Sequence, residues 1–400
     1  MKVVQINATC GFGSTGKICI GISELLTGKG IENYIVCSKS NGYSLGVECS
    51  DNKYTRFQAL KSRVFGNYGF NSKNETKKII SELEKIKPDV VNLHNIHGHD
   101  CNLEMLFKYF KRNNTKLIWT FHDCWAFTGY CMYFDMSHCD KWKTGCHNCP
   151  QRKAYSFFFD RSKQLFERKK ELFSGLDLTI VTPSQWLADL VKQSFFREYP
   201  VVVINNGLDL DVFEPTESDF RKKYGLENKK IILGVAFGWE ARKGLDAFLE
   251  LEKRLPDDYK IVLVGTTEDT DKLLPESIIS IHRTQNQREL AEIYTAADVF
   301  VNPTREEVLG MVNIESLACG TPVITFRTGG SPETINEDCG SVVECDDIDA
   351  LEKEIIRVCE SKPYSEESCL KRAEKFDKKE RFLEYIDLYE RINTSRNQNN

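Results

Sequence analysis

The stretch TREEVLGMVNIESLACGTPVI, residues 304–324, decides how this chain of 400 residues folds. An apolar, strand-like run ends near Asn302, a polar loop follows it, and apolar residues with helical spacing begin around Gly310. Another apolar run, Pro322–Thr325, closes the stretch. A strand, a helix and a second strand in this order form a βαβ unit, whose strands are parallel. The stretch therefore predicts an α/β domain.

Strand-like and helical segments alternate on both sides of this stretch, in two sets that meet near residue 197. The predicted fold class is α/β, with two Rossmann-like, doubly wound domains over residues 1–197 and 198–376. A helix over residues 377–392 follows, and the polar residues 393–400 are predicted to be disordered. Because ligands bind at the carboxyl ends of parallel strands, two such domains would form a cleft between them.

Charge is distributed unevenly along the chain. The net charge is −5, but residues 1–200 hold 28 Lys and Arg against 19 Asp and Glu, whereas residues 201–400 hold 26 against 40. The overall acidity would argue against any anionic partner, yet only the second half is acidic. Hydrophobic residues make up 41% of the chain, and no apolar run reaches the roughly 18 residues that a membrane span needs. Disordered, fibrous and membrane-spanning classes are therefore excluded.

A glycine-rich segment, GFGSTGK at residues 11–17, follows the first predicted strand. Its spacing is that of a phosphate-binding loop, but Ile18 stands where Ser or Thr would bind magnesium, which argues against an ATPase or GTPase. Two interpretations remain open. Either the backbone amides from Gly13 to Gly16 bind an anion at the N-terminus of the next helix, or the segment is a plain strand-to-helix turn.

Two carboxylates and a helix N-terminus occur together in the deciding stretch. Glu307 lies in the loop and Glu315 on the second turn of the predicted helix, so the two carboxylates can flank a ligand. The first-turn amides, which can bind a negative charge, are those of Gly310, Met311 and Val312. This arrangement suits a ligand that carries both sugar hydroxyls and phosphate. The alternative is that both glutamates only cap and pair within their own helix.

This segment resembles the glutamate-x7-glutamate motif of retaining, nucleotide-sugar-dependent glycosyltransferases of the GT-B fold, in particular family 4 (group 1 type). FGWEARKGL (237–245) is similar to that family's basic diphosphate clamp, NNGLD (205–209) to its interdomain entry, and VTPSQW (181–186) to its last N-terminal strand. The resemblance covers most of residues 1–392. It implies that the first domain binds the acceptor, that the second binds the nucleotide sugar, and that the helix 377–392 crosses back to the first.

The resemblance also implies roles for individual residues. Arg242 and Lys243 would neutralise the donor diphosphate as it leaves, with a solvated basic pair as the alternative, and Glu315 would hold the ribose. Glu307 would face the transferred sugar, and Glu306, which lacks the family's spacing, is expected at the surface. Further contacts to the nucleotide sugar are expected from Gly13, Gly16, Gly238, Gly310, Met311 and Val312.

His122 ends a predicted strand of the first domain, where this family often has a histidine that faces the sugar. The resemblance makes it a catalytic candidate, and a hydrogen-bonded structural histidine is the alternative. His94, His97 and His99 follow the preceding strand, and we interpret them as walls of the acceptor site, with a metal site as the alternative. The resemblance implies that the departing phosphate, and no protein nucleophile, helps to deprotonate the acceptor. It also implies that no catalytic metal is needed.

A cysteine-rich insertion over residues 124–155 departs from the family pattern. A short loop with little apolar core would gain from a structural zinc, with Cys131, Cys139, Cys146 and Cys149 as ligands. The last two cysteines have the spacing of a zinc knuckle, but the first two are too far apart for one. Unpaired buried thiols and disulfides are the alternatives.

Basic and aromatic residues are interleaved in residues 52–74 and 152–173. This composition suits an anionic membrane surface or a lipid-diphosphate acceptor, with amphipathic helices packed on the sheet as the alternative. Nucleic acid is not expected as a partner.

We therefore expect a retaining glycosyltransferase that takes a nucleoside diphosphate sugar and a glycan or lipid-linked acceptor, in the synthesis of a bacterial surface polysaccharide such as capsule or lipopolysaccharide. With no secretory signal in residues 1–13, it would be cytoplasmic, with a peripheral contact to the inner membrane surface. The rival is a non-catalytic, zinc-stapled scaffold that binds sugar nucleotides.

Overall fold

The computed structural model describes residues 1–50 and 52–394. These form two units, one of residues 1–205 together with the residues from 379 onward, and one of residues 206–378. Each unit is built on a parallel sheet, which confirms the predicted α/β class. Of the predicted disordered tail, residues 395–400 lie outside the described residues, and residues 393 and 394 still belong to the last helix.

The first unit contains a sheet of seven parallel strands with helices between them. Its strands are β1 (Lys2–Cys10), β2 (Glu32–Ser40), β3 (Gly46–Glu48), β4 (Val90–Leu93), β5 (Leu117–Thr120), β6 (Leu178–Thr182) and β7 (Val201–Val203). Its helices include α1 (Gly13–Gly28), α2 (Asn52–Phe65), α3 (Lys73–Ile86), α4 (Leu103–Arg112), α5 (Arg152–Tyr155), α6 (Ser162–Phe173) and α7 (Gln185–Gln193). The strand order is β3-β2-β1-β4-β5-β6-β7, so the central strands β1, β4 and β5 are neighbours.

Strand β7 corrects the predicted domain boundary at residue 197. Its three valines pair in parallel with β6, Val201 opposite Ile180, so they complete the first sheet instead of starting the second. An apolar run of three residues shows that a strand is present, but not which of two sheets it joins, because both sheets have parallel edge strands. The second unit therefore begins at residue 206.

The second unit contains a sheet of six parallel strands. Its strands are β8 (Lys230–Val235), β9 (Tyr259–Val264), β10 (Ile279–Ile281), β11 (Val299–Asn302), β12 (Val323–Phe326) and β13 (Gly340–Val343). Its helices are α8 (Phe220–Lys223), α9 (Leu245–Glu252), α10 (Glu268–Asp271), α11 (Gln287–Ala296), α12 (Met311–Ala318), α13 (Ile348–Ser361) and α14 (Glu366–Glu374). The order β10-β9-β8-β11-β12-β13 places β8 beside β11, so the loops that follow these two strands meet at one edge of the sheet.

The last helix, α15 (Lys378–Thr394), packs on the first unit. Its buried aromatic side chains Phe382 and Tyr389 share a core cluster with Val3 and Ile22. The Phe382 ring lies so close to Gly21 that a Cβ there would approach it to 2.3 Å. Aromatic burial of this kind contributes roughly 2–3 kcal/mol per side chain, so α15 is part of the first unit's core.

A membrane span requires a helix that is both long and strongly apolar. No helix within residues 1–50 and 52–394 meets both requirements.

Candidate active site

The carboxylate loop, residues 303–310, joins β11 to α12 and carries the first carboxylate predicted from the sequence. Lys243 Nζ lies 2.7 Å from Glu307 Oε2, and both side chains are largely shielded from water, at 19% and 18% exposure. Lys243 ends the short 3-10 turn Ala241–Lys243 that follows β8. Because β8 and β11 are neighbours, their following loops bring this lysine and this carboxylate together.

Arg305 fixes the carboxylate loop to the turn that carries the basic pair. Its backbone N–H donates to the carbonyl of Arg242 at 2.9 Å. Its guanidinium forms ion pairs with Asp246 at 2.8 Å and Asp346 at 2.7 Å, and it also donates to the carbonyl of Ala241. Arg305 has no signal in the sequence, since a residue in an irregular loop has no periodicity that reveals the direction of its side chain.

Two glycines set the backbone of the site. Gly310 precedes α12 with a φ of 86°, and Gly329, which follows β12, has a φ of 56°. A Cβ on Gly329 would lie 1.7 Å from the carbonyl oxygen of Glu307, and the N–H of Gly330 donates to that same oxygen at 3.2 Å. Only glycine allows this approach, so the position of Glu307 depends on a neighbouring backbone as well as on its own loop.

Glu315 lies on α12 and accepts a hydrogen bond from the hydroxyl of Tyr294 at 3.0 Å. Burial and the neighbouring carboxylate raise the pKa of Tyr294, so the phenol remains a donor. A buried amide, Asn313, bonds to Asn302 at 2.8 Å and to Ser331 at 2.9 Å. These contacts hold the start of α12 beside the carboxylate loop. The backbone N–H groups in the first turn of a helix have no carbonyl acceptors within the helix, so they are available to a ligand.

The other residues predicted in the second unit occupy distinct places. The first-turn residues Met311 and Val312 begin α12 after Gly310. Gly238 lies after β8, and its N–H donates to the carbonyl of Gly265 at 3.3 Å. Glu306 is buried at 6% exposure, so the expectation that it lies at the surface is wrong. The reason is that the loop turns inward there, with the carbonyl of Glu306 accepting from Arg242 Nη1 at 3.3 Å.

In the first unit, His122 follows β5 and contacts His94, which follows the neighbouring strand β4. His94 Nδ1 lies 3.1 Å from His122 Nε2, and His94 Nε2 lies 3.1 Å from Gln5 Oε1 on β1. Burial lowers the pKa of His94 well below its usual value and that of His122 to about 4, so both rings are neutral at pH 7. We call Gln5, His94 and His122 the histidine row.

A second histidine of this unit has a carboxylate partner. His97 Nε2 lies 2.8 Å from Asp123 Oδ2, and His97 Nδ1 lies 3.1 Å from the Tyr68 hydroxyl. Burial alone would raise the pKa of Asp123, but His97 overcomes this and lowers it. His99 stacks on Tyr68 instead. Tyr68 thus contacts both His97 and His99, whereas His94 contacts His122, and the three histidines after β4 form no metal-binding group with the other side chains of residues 1–50 and 52–394.

The glycine-rich segment GFGSTGK leads into α1. Gly13 is the first residue of the helix, and Phe12 before it provides no side-chain cap. The Thr9 hydroxyl donates to the carbonyl of Phe12 at 2.8 Å, and a Cβ on Gly16 would approach that hydroxyl to 2.9 Å. Gly13 and Gly16 belong to the first unit, whereas the other residues predicted to contact the nucleotide sugar belong to the second.

The four cysteines predicted as zinc ligands, Cys131, Cys139, Cys146 and Cys149, all line one small cavity of the cysteine-rich insertion. Cys131 Sγ and Cys149 Sγ lie 3.8 Å apart, but residues 1–50 and 52–394 contain no group of three or more His, Cys, Asp or Glu side chains placed to hold a metal ion. The predicted ligands Cys139 and Cys146 are half-buried free thiols. The insertion instead has an aromatic core, made of Trp125, Phe127, Tyr130, Phe134 and Trp142, all of them buried.

Lys169 joins helix α6 to this insertion. Its fully buried ammonium donates to the carbonyls of Trp125 at 2.8 Å and Thr128 at 3.1 Å, and lies 3.5 Å from the centre of the Trp125 ring. The insertion was expected to have little apolar core, and this expectation is wrong. Stacked aromatic rings and this buried lysine stabilise the insertion.

Comparison with known protein families gives two matches that together extend over most of the chain. The model of the family described as Glycosyl transferases group 1 matches residues 216–380. The model described as Glycosyltransferase Family 4 matches residues 16–212.

Relatives and solved structures agree with these matches. A protein of Escherichia coli K12 that bears the name colanic acid biosynthesis glycosyl transferase WcaC is 24% identical over 368 residues, which are 87% of this chain and 88% of the relative. Sucrose-phosphate synthase from Thermosynechococcus elongatus superimposes with a TM-score of 0.71 at 16% identity, covering 99% of this chain and 100% of that one. HepE of Anabaena, solved in complex with UDP-glucose, gives 0.69 at 14% identity, covering 97% and 99%.

Proposed function

The chain belongs to the group 1 glycosyltransferases of family 4 and has the GT-B fold, and from this premise we propose that it transfers a sugar from a nucleoside diphosphate sugar to a lipid-linked glycan, with retention of anomeric configuration. The second unit binds the donor and the first unit binds the acceptor. The product is a surface polysaccharide or its precursor, made at the cytoplasmic face of the membrane. The name of the Escherichia coli relative, which refers to colanic acid, supports this setting.

The reaction exchanges one bond for another without a change of oxidation state. The bond between the anomeric carbon and the diphosphate oxygen breaks, and the acceptor hydroxyl oxygen forms a bond to the same face of that carbon. The hydroxyl proton passes to the departing diphosphate oxygen. Because negative charge develops on the diphosphate, a fixed cation beside it stabilises the transition state more than the ground state.

The observation that carries the proposal is the ion pair of Lys243 and Glu307 at 2.7 Å. A lysine and a carboxylate that are both shielded from water have few other partners to exchange with, so an arriving diphosphate would compete directly for the ammonium. Glu307 is then available to a sugar hydroxyl. Glu315, already bonded to Tyr294, offers its carboxylate to the ribose. The Anabaena neighbour solved with UDP-glucose supports a nucleotide sugar as the donor.

The test is to incubate the purified protein with a panel of nucleotide sugars and to measure binding and release of the nucleoside diphosphate. Lys243→Met should lower kcat/KM for the best donor about 10³-fold, as loss of a group that stabilises developing charge does. Lys253→Met is the matched control, because Lys253 forms an exposed pair with Glu250 at 3.2 Å in the same unit. A protein that binds no donor, or equal losses in the two variants, would refute the proposal.

The lipid-linked acceptor is supported by one exposed surface of the first unit. Its apolar part, which we call the aromatic surface, consists of the exposed side chains Phe57, Leu60, Phe65, Phe157, Phe158 and Phe159. The N–H of Phe157 donates to the carbonyl of Arg63 at 2.7 Å, which joins α2 to residues 157–159. Residues 52–74 contain no acidic residue and several exposed lysines and arginines. An aromatic surface with a basic border fits an anionic bilayer.

Phe158→Ser tests this contact, because Phe158 is the most exposed of these side chains, at 69%. Binding to vesicles that contain phosphatidylglycerol should fall about tenfold, since one buried phenyl ring contributes roughly 1.5–3 kcal/mol. Leu273→Ser is the control, an exposed leucine in the other unit. Equal binding by both variants, or equal binding to phosphatidylcholine vesicles, would exclude an anionic membrane as the partner of this surface.

A further inference from the structure

The histidine row crosses three neighbouring strands of the first sheet. Gln5 lies on β1 opposite Asn92 of β4, His94 follows β4, and His122 follows β5. Gln5 and His94 are buried, whereas His122 is partly exposed. The row therefore leads from the interior of the sheet to a partly exposed imidazole.

The orientation of the Gln5 amide is fixed at the buried end. Its Nε2 donates to the backbone carbonyl of Cys19 at 2.9 Å, and a carbonyl can only accept. The Gln5 Oε1 atom therefore points at His94, whose Nε2 lies 3.1 Å away. An amide oxygen is only an acceptor, so the proton of the neutral His94 ring must be on Nε2.

The same reasoning continues along the row. With its proton on Nε2, His94 has a bare lone pair on Nδ1, and His122 Nε2 lies 3.1 Å from it. His122 must then donate from Nε2, which leaves its own Nδ1 as an acceptor. Burial keeps both rings neutral at pH 7, since it lowers the pKa of His122 to about 4 and that of His94 well below its usual value.

The amide of Asn92 also lies 3.1 Å from His94 Nε2. This contact does not change the assignment of the His94 proton to Nε2. Its other partners are the hydroxyls of Thr120 at 3.2 Å and Tyr389 at 2.7 Å. A hydroxyl can donate or accept, so Asn92 can present its oxygen to His94 without losing a bond. Gln5, anchored on a backbone carbonyl, has no such freedom and decides the position of the proton.

We propose that Gln5 is a positioning residue that acts through His94 to keep the proton of His122 on Nε2 and so presents the Nδ1 lone pair of His122 to a substrate hydroxyl. The proposal rests on the proposed glycosyl transfer and makes the role of His122 specific. A neutral, weakly basic imidazole orients a hydroxyl by accepting its hydrogen bond, and it does not remove the proton. The proton of the acceptor is left to the departing diphosphate.

The test is ¹⁵N NMR of the protein labelled on histidine, with His122→Gln to assign the two nitrogens of His122. In the wild-type protein, Nε2 should show the shift of a protonated, pyrrole-like nitrogen and Nδ1 that of an unprotonated, pyridine-like one. Gln5→Met keeps the length of the side chain but removes the acceptor. It should transfer protonation of His122 partly or fully to Nδ1 and lower kcat/KM about tenfold, as expected for loss of one neutral hydrogen bond to substrate.

Gln151→Met is the matched control, because Gln151 also donates from its amide to a backbone carbonyl, that of Tyr133 at 2.8 Å, within the same unit. It should change neither the His122 spectrum nor kcat/KM. The proposal is overturned if wild-type His122 carries its proton on Nδ1, or if Gln5→Met leaves spectrum and activity as they were. The wild-type spectrum decides even where Gln5→Met does not fold. Failure of the proposed function would show separately, as absence of donor turnover in a protein with the expected tautomer.

Discussion

Lys169 in the first unit and Lys243 in the second are both shielded from water, yet they are held in opposite ways. Lys169 is bound by the carbonyls of Trp125 and Thr128 and by the face of an indole ring. No carboxylate of the described residues forms an ion pair with it, and burial lowers its pKa to about 7. Lys243 is bound by the carboxylate of Glu307.

The difference separates a lysine with a structural role from one whose partner a ligand can replace. Backbone carbonyls cannot leave their positions, so the partners of Lys169 are permanent and they hold its amino group in place. A side-chain carboxylate can turn away when a phosphate arrives, so the partner of Lys243 can be exchanged. The histidine row follows the first pattern, since neutral groups with fixed neighbours determine where each proton lies.

Glu307→Gln tests the exchangeable partner of Lys243 and should have the largest effect. The amide keeps the shape of the side chain but cannot hold the ammonium of Lys243 or a sugar hydroxyl as strongly. We expect kcat/KM for sugar transfer to fall about 10³-fold with little change in melting temperature. Glu250→Gln is the control, since Glu250 pairs with Lys253 at the surface. Undiminished turnover would remove Glu307 from the site.

Gly329→Ala tests whether the pair of Lys243 and Glu307 depends on the close approach of the Gly329 backbone to Glu307. A Cβ here would lie 1.7 Å from the carbonyl oxygen of Glu307 at a φ of 56°, so both strain and a clash result. We expect a loss of about 3 kcal/mol in the free energy of unfolding, together with reduced donor binding. Urea denaturation measures the free energy of unfolding, and the assay with nucleotide sugars measures donor binding.

Gly225→Ala is the matched control for this substitution. Gly225 has a φ of 65° in the same unit, and a Cβ on it meets no atom within 4 Å. Only the backbone penalty of about 1 kcal/mol should appear there. Equal losses at the two glycines would mean that strain alone acts, and that the contact with Glu307 is unimportant.

Lys169→Met tests the structural role of Lys169 through the pH dependence of stability. The pKa of Lys169 is about 7 in the folded chain, against an ordinary lysine value of 10.5, so between these values the unfolded chain binds more protons. The free energy of unfolding should therefore rise with pH, by about 2 kcal/mol from pH 7 to pH 9 on account of this group. The Met variant should lack that part of the rise. Parallel stability curves for the two proteins would contradict the lowered pKa.

Much of the fold follows from the sequence, because alternation of apolar runs and helical spacing is a local signal. The boundary near β7 does not, since the choice of sheet depends on packing between distant residues. In the site, the positions of Glu307 before α12 and Glu315 on it could be predicted from the sequence, because a strand, a loop and a helix follow one another within a short segment. The burial of Glu306 could not, because side-chain direction in an irregular loop has no period.

The histidine row and the cysteine-rich insertion show two further limits. His94 and His122 are 28 residues apart in sequence, and they meet only because β4 and β5 are adjacent in the sheet. In the insertion, cysteine spacing indicated a metal, but it did not reveal that the aromatic residues around the cysteines are buried together. Five buried rings form a core there that spacing rules for metal ligands do not consider.

The packing of α15 on β1 and α1 has a consequence for biosynthesis. A ribosome completes residues 206–378, the whole second unit, before it makes Phe382 and Tyr389, which close the core around Val3 and Ile22. The half of the protein that leaves the ribosome first is thus the half that finishes folding last. Until then the apolar side chains that α15 covers stay exposed on the nascent chain, and exposed apolar surface of this kind favours aggregation.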